Sequence, residues 1–142
     1  MVELILKKPF LNNLGLLVLR IAVGSLLIHH GYEKLANISN FADAFIRPLH
    51  LPFPIALSYI AAFSEIFGSW LLITGVLTRL GAAAIAGTMA IAIYHAFFTA
   101  GFNIYLLELL LLYLASAGFI LLNGPGIYSI DELIVRRLKT NK

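Results

Sequence analysis

The stretch PIALSYIAAFSEIFGSWLLITGVL, residues 54–77, decides the fold: it carries a single charged residue, Glu65, near its middle. At about 1.5 Å of rise per residue it is long enough to cross the roughly 30 Å hydrocarbon core of a bilayer as a helix. A bare carboxylate in hydrocarbon is costly, so Glu65 must be neutral, paired or turned towards a polar cavity. The earlier apolar stretch 14–30 holds one isolated charge of the opposite sign, Arg20. The sequence therefore predicts a buried ion pair between Arg20 and Glu65, with the function lying between helices.

Composition points the same way. Of the 142 residues 61% are hydrophobic and 12% charged, whereas soluble domains carry roughly a quarter charged residues; mean hydropathy is +0.93. An all-α integral membrane protein is expected, with room for one domain over 1–142 and no second. The formal charge of +3 does not suggest nucleic-acid binding, because the basic residues cluster at the chain ends, where membrane topology accounts for them. The chain has no cysteine, which excludes disulfides, thiol redox chemistry and thiolate metal sites. Any redox role needs a bound cofactor.

Working outward from 54–77, further spans are expected at 14–30, 80–98 and 103–122, giving a four-helix antiparallel bundle with short joints. A cleaved leader is the competing reading of the first stretch. Against it stand Arg20 and the run His29-His30-Gly31-Tyr32-Glu33-Lys34, where small residues would be needed for cleavage. In the long first connection, Phe41, Ala44, Phe45 and Leu49 recur at helical spacing after a possible Ser39 cap, predicting a short interfacial helix. An amphipathic tail at 129–140 follows from the capping-box spacing of Ser129 and Glu132, with Ile130, Leu133, Ile134 and Leu138 opposed to Arg136, Arg137 and Lys139. It is expected to lie on an anionic membrane surface.

Four spans place both termini on one side. Outside the spans that side carries Lys7, Lys8, Arg79, Arg136, Arg137, Lys139 and Lys142, and the other carries Lys34 and Arg47. The positive-inside bias then predicts cytoplasmic termini in a cell inner membrane or another energy-transducing membrane. The third span is rich in Gly and Ala (Gly81, Ala82, Ala83, Ala84, Ala86, Gly87, Ala90). Such residues permit close backbone approach, at the bundle centre or at a seam with a protein partner or second copy.

Near the non-cytoplasmic face, His30, His95 and Glu108 fall at similar depth on three spans and are expected to line one ligand pocket. Imidazole and carboxylate there could ligate a metal, bind haem axially, or hydrogen-bond a quinone and exchange its protons. A quinone head group is the favoured ligand, with haem behind it. No metal site is expected, since these three share no helix and the adjacent His29 and His30 project about 100° apart on a helix. His50 is read as structural, and Tyr94 and Tyr105 as neighbours of the pocket. No phosphate loop, nucleophile elbow or zinc-protease motif is present, and the catalytic residues are unknown.

Arg20, the run His30-Gly31-Tyr32-Glu33-Lys34-Leu35, Glu65 with Gly68, Gly75 and Thr78-Arg79, and the closing Gly124-Pro125-Gly126-Ile127-Tyr128-Ser129-Ile130-Asp131 together resemble the DoxX family of small four-helix membrane proteins. The resemblance implies four transmembrane helices and a link to quinone-coupled oxidation, since DoxD-type relatives form part of a thiosulfate:quinone oxidoreductase. It also leaves open a non-catalytic subunit or assembly factor, as in related four-helix cargo receptors and maturation factors. The positions it carries over are Arg20, His30, Gly31, Lys34, Glu65, Thr78, Arg79, Gly124, Tyr128 and Asp131. A small-solute or proton transporter using Glu65 is the third reading.

Overall fold

The computed structural model describes residues 9–140, and every regular element in it is helical. Helix α1 spans Pro9–Ala36, a short α2 Ile38–Phe41, α3 Pro54–Thr74, α4 Thr78–Ala100, α5 Ile104–Asn123 and α6 Ile130–Thr140. Between α2 and α3 the chain passes through a π turn at Ala42–Ile46 and a 3-10 turn at Arg47–Leu49. Helices α1, α3, α4 and α5 are each long and apolar enough to cross a membrane. Lys7, Lys8 and Lys142, which enter the charge count above, lie outside the described residues.

Local chemistry sets most of the helix ends. Pro54 starts α3, where its missing N–H costs nothing, and Gly75 at φ 73° ends it. The Asn103 side chain accepts a hydrogen bond from Tyr105 N at 3.0 Å and caps α5, and Gly124 at φ 86° closes that helix. Ser129 Oγ accepts from Glu132 N at 3.1 Å, the forward half of the expected capping box, at the start of α6.

Three expectations about boundaries change. Helix α1 runs on through His29 and His30 to Ala36, well past the expected end, because nothing in His-His-Gly-Tyr-Glu-Lys breaks a helix that its neighbour supports. Thr78 and Arg79 belong to α4, so the turn before it is Gly75-Val76-Leu77, with Leu77 held at φ 45°. In the connection, Asn37 rather than Ser39 precedes the short helix, without a side-chain cap. Ala42 and Ile46 turn inward there, while Phe45 stays exposed.

Helix α1 packs on α3, α3 on α4 and α4 on α5, while α5 meets α1 only lightly. The core between them holds Val23, Leu27, Leu72, Ala82, Ile85, Met89, Tyr113, Ala117 and Ile120. Glycines let the backbones come close. A Cβ on Gly24 would meet Ser69 O at 2.8 Å, and one on Gly31 would meet Ala62 O at 3.0 Å; on the other side, Gly68 and Gly81 give α3 and α4 the same approach. Large apolar side chains such as Val18, Phe67, Trp70, Leu112 and Phe119 face outward. An outward apolar belt on helices of this length places the chain in a lipid bilayer.

Candidate functional site in the bundle cavity

The expected Arg20–Glu65 pair does not form. The α1–α3 packing shows why: Gly24 lies against Ser69 and Ile73, and Gly31 against Ala62 and Ile66. In that antiparallel register residue 20 lies opposite residue 75, and residue 65 opposite residue 30. Arg20 and Glu65 are thus ten residues out of step, about 15 Å along the axis. The two helices are staggered, and the assumption that two mid-span charges share a depth fails.

Glu65, 2% exposed, is instead paired with Lys34 from the last turn of α1. Lys34 Nζ also lies 5.4 Å from the centre of the Phe41 ring, a cation–π distance. Arg20, 1% exposed, serves the other end of the bundle. Its guanidinium donates to Leu72 O at 3.1 Å, to Pro125 O and to Tyr128 O at 3.1 Å, tying α1 to the end of α3 and to the loop after α5.

The same loop delivers Asp131 to the start of α4. Its carboxylate accepts hydrogen bonds from Leu77 N at 2.8 Å, Thr78 N at 2.9 Å and Thr78 Oγ1 at 2.8 Å. Asp131 N donates to Gly75 O at 2.9 Å. Leu77 offers no cap of its own, so a residue more than 50 positions on in the sequence satisfies the Leu77 and Thr78 N–H groups at the start of that helix. Burial would raise the Asp131 carboxyl, but the Thr78 and Leu77 hydrogen bonds and the Arg20 charge prevail and hold it below its usual value.

Above this clamp, in the half of the bundle holding the first connection, lies a cavity of about 620 Å³. Its walls are apolar: Leu27, Leu57, Ile60, Met89, Ile91 and Leu110 contribute, and Phe41, Phe45 and Leu51 close it from the connection. The polar groups reaching it include the Lys34–Glu65 pair, His30, His95 and Tyr113. His95 Nε2 lies 3.2 Å from Ala44 O, and its ring 5.1 Å from that of Phe45, so the connection holds the imidazole in place. His30 Nδ1 is 3.5 Å from Glu33 Oε2.

Of the three residues expected to share a pocket, His30 and His95 do line this cavity. Glu108 does not: it is exposed, while its neighbour Leu107 is buried. Helix α5 is apolar on nearly every side, so its sequence gives no sign of which face turns inward, and depth alone misplaced Glu108. Tyr94 and Tyr105 are exposed as well. Tyr113 and Lys34 were missed as cavity residues. A hydroxyl in mid-span of α5 and a lysine one helical turn beyond His30 were the available signals.

Four apolar helices with a half-open cavity between them and a lysine–glutamate pair in its wall define a multi-pass membrane protein of the small four-helix class. Comparison with family models gives the particular family: the DoxX model matches residues 15–101, and the chain belongs to the DoxX family. No curated protein and no solved structure gave a significant match. The matched region covers α1 to α4. The closing loop lies beyond it, but Arg20, Gly75, Leu77 and Thr78 tie that loop to the matched helices.

Proposed function

We propose that this protein is a redox-associated membrane subunit that receives a quinone head group in the cavity between its helices. The observation that supports this reading most is an apolar chamber with a few convergent polar groups (His30, His95, Tyr113 and the Lys34–Glu65 pair) within the membrane part of the bundle. Its volume of about 620 Å³ falls in the range of small-molecule sites, roughly 300–1,000 Å³. The Lys34 ammonium can donate to a quinone carbonyl oxygen, and His95, whose Nε2–H faces Ala44 O, offers Nδ1 as acceptor to a quinol hydroxyl. Apolar walls and the light α5–α1 contact suit an isoprenoid tail entering from the lipid.

Reducing a quinone to the quinol takes two electrons and two protons. The side chains here can supply the proton path; with no cysteine in the sequence to act as a thiol donor, this reading takes the electrons from a redox partner. Hence a subunit rather than a self-sufficient enzyme. The test is the lipid extract and absorption spectrum of the purified protein, followed by titration with a short-chain ubiquinone analogue. A copurifying quinone is expected, with binding weakened about tenfold in His95→Leu, the equivalent of losing one hydrogen bond. No quinone in the extract and no saturable binding of the analogue would overturn the reading.

One observation favours a second reading, a non-catalytic subunit that docks a partner or another copy. Ala83, Gly87 and Ala90 form an outward face on α4, and a Cβ on Gly87 would meet nothing within 4 Å. Crosslinking in membranes separates this reading from the first: Gly87→Leu should abolish a captured complex while leaving quinone binding intact.

A further inference from the structure

We propose that His29, His30 and Glu33, on the last turns of α1, form a binding site for a transition-metal dication of the zinc, copper or cobalt type. The three side chains converge although two of them are adjacent in sequence. Neighbouring residues on a helix project about 100° apart, yet the ring centroids of His29 and His30 are 4.0 Å apart. Glu33 follows His29 by one turn and closes the group from the other side, its Oε2 3.5 Å from His30 Nδ1. One ligand atom from each of the three lies within 4.8 Å of the others.

A tetrahedral ion with bonds of about 2.0–2.2 Å to nitrogen and oxygen sets its donors roughly 3.3–3.6 Å apart. Rotation of exposed side chains covers the remaining gap of about 1 Å without moving the helix backbone. His29 and Glu33 are exposed and His30 is half-buried, so an ion reaches the group from outside the core. Two imidazoles and one carboxylate suit zinc, copper, nickel or cobalt, whereas magnesium and calcium require oxygen ligands throughout.

Three protein donors leave one position of a tetrahedral ion open. His30 and Glu33 also line the cavity, so that open position lies at the cavity's edge. The site shares His30 with the quinone reading but does not depend on it, since His29 and Glu33 are not assigned to quinone binding and an ion needs no quinone to bind. A ring-stacked histidine pair with an ordinary His–Glu contact would produce the same convergence without metal affinity, and the test separates the two.

The full chain, freed of any histidine tag and stripped of metal, is titrated with Co²⁺ in detergent while its visible ligand-field absorption is recorded, and Zn²⁺ is then added in competition. One Co²⁺ per chain, displaced by Zn²⁺, is expected. His29→Ala and Glu33→Gln should each weaken binding by about tenfold or more, at least the loss seen when groups that merely orient metal ligands are removed. Glu33→His should retain binding, which a structural His–Glu contact would not explain. His50→Ala, altering an exposed histidine of the connection, and His95→Leu, altering the proposed quinone site, should both leave Co²⁺ affinity unchanged. The proposal is overturned if no stoichiometric Co²⁺ binding occurs, or if His29→Ala and Glu33→Gln bind as tightly as the unaltered chain.

Discussion

Lys34 and Glu65 depend on each other because the carboxylate is 2% exposed and its partner reaches it across the cavity wall. Removing one member strands the other, a cost of roughly 3–5 kcal/mol for buried pairs, whereas replacing both with apolar residues of similar volume is far milder. Glu65→Gln and Lys34→Met should therefore each lower stability to denaturant in detergent, and the double variant should recover much of it. Arg20→Met should also destabilise, by leaving Leu72, Pro125 and Tyr128 carbonyls short of a donor. Its effect should add to that of Glu65→Gln within about 0.5 kcal/mol, as independent sites do. Strong coupling between Arg20 and Glu65 in such a cycle would show that the register described above is wrong.

At the scale of elements, the closest contacts are those that a methyl group would spoil. A Cβ at Gly31 would lie 2.6 Å from Ile66 Cγ1 and 3.0 Å from Ala62 O, so Gly31→Ala should push α1 off α3 and cost about 1–3 kcal/mol, as overpacking does. Gly87→Ala meets open space and should be neutral or stabilising by about 0.5–1 kcal/mol through helix propensity. Unfolding of the two variants in the same detergent compares them directly. The cap that Asp131 supplies to α4 carries a pH dependence of definite sign. Because folding lowers its carboxyl below the ordinary value, the unfolded chain binds the proton more readily. The stabilisation is complete above about pH 4 and is lost as pH falls through the folded value. Thermal unfolding between pH 3 and pH 6 should show this acid loss in the unaltered chain, and a smaller one in Asp131→Asn.

For the whole molecule, the distribution of basic residues predicts cytoplasmic termini, with the connection that roofs the cavity on the opposite side. Asn40 lies in α2 and lines the cavity, and Thr140 ends α6. Thiol labelling in intact cells should reach Asn40→Cys from outside and leave Thr140→Cys unmodified until the membrane is permeabilised. Labelling of Thr140→Cys alone would invert the topology. In the predicted orientation the cavity and the His29, His30 and Glu33 group open to the non-cytoplasmic half, while the Arg20 and Asp131 clamp closes the cytoplasmic end.

Apolar length, caps and breakers act over one or a few turns, so the sequence by itself determined the class, the four spans to within a few residues, the amphipathic tail and the stops at Gly101 and Gly124; the stop at Gly75 was read two residues too late. It also marked Arg20 and Glu65 as buried charges that need partners. Who those partners are was decided only by the tertiary structure, since the glycine contacts of α1 with α3 fix a stagger that no single helix encodes. That stagger gives Glu65 to Lys34 and leaves Arg20 to the carbonyls of the closing loop. Helix rotation was equally hidden in α5, where an almost uniformly apolar surface let packing turn Leu107 and Tyr113 inward and Glu108 out. In a bilayer a polar–apolar pattern no longer separates inside from outside, because lipid and core are alike to a hydrophobic side chain; shape and hydrogen-bond satisfaction make that choice.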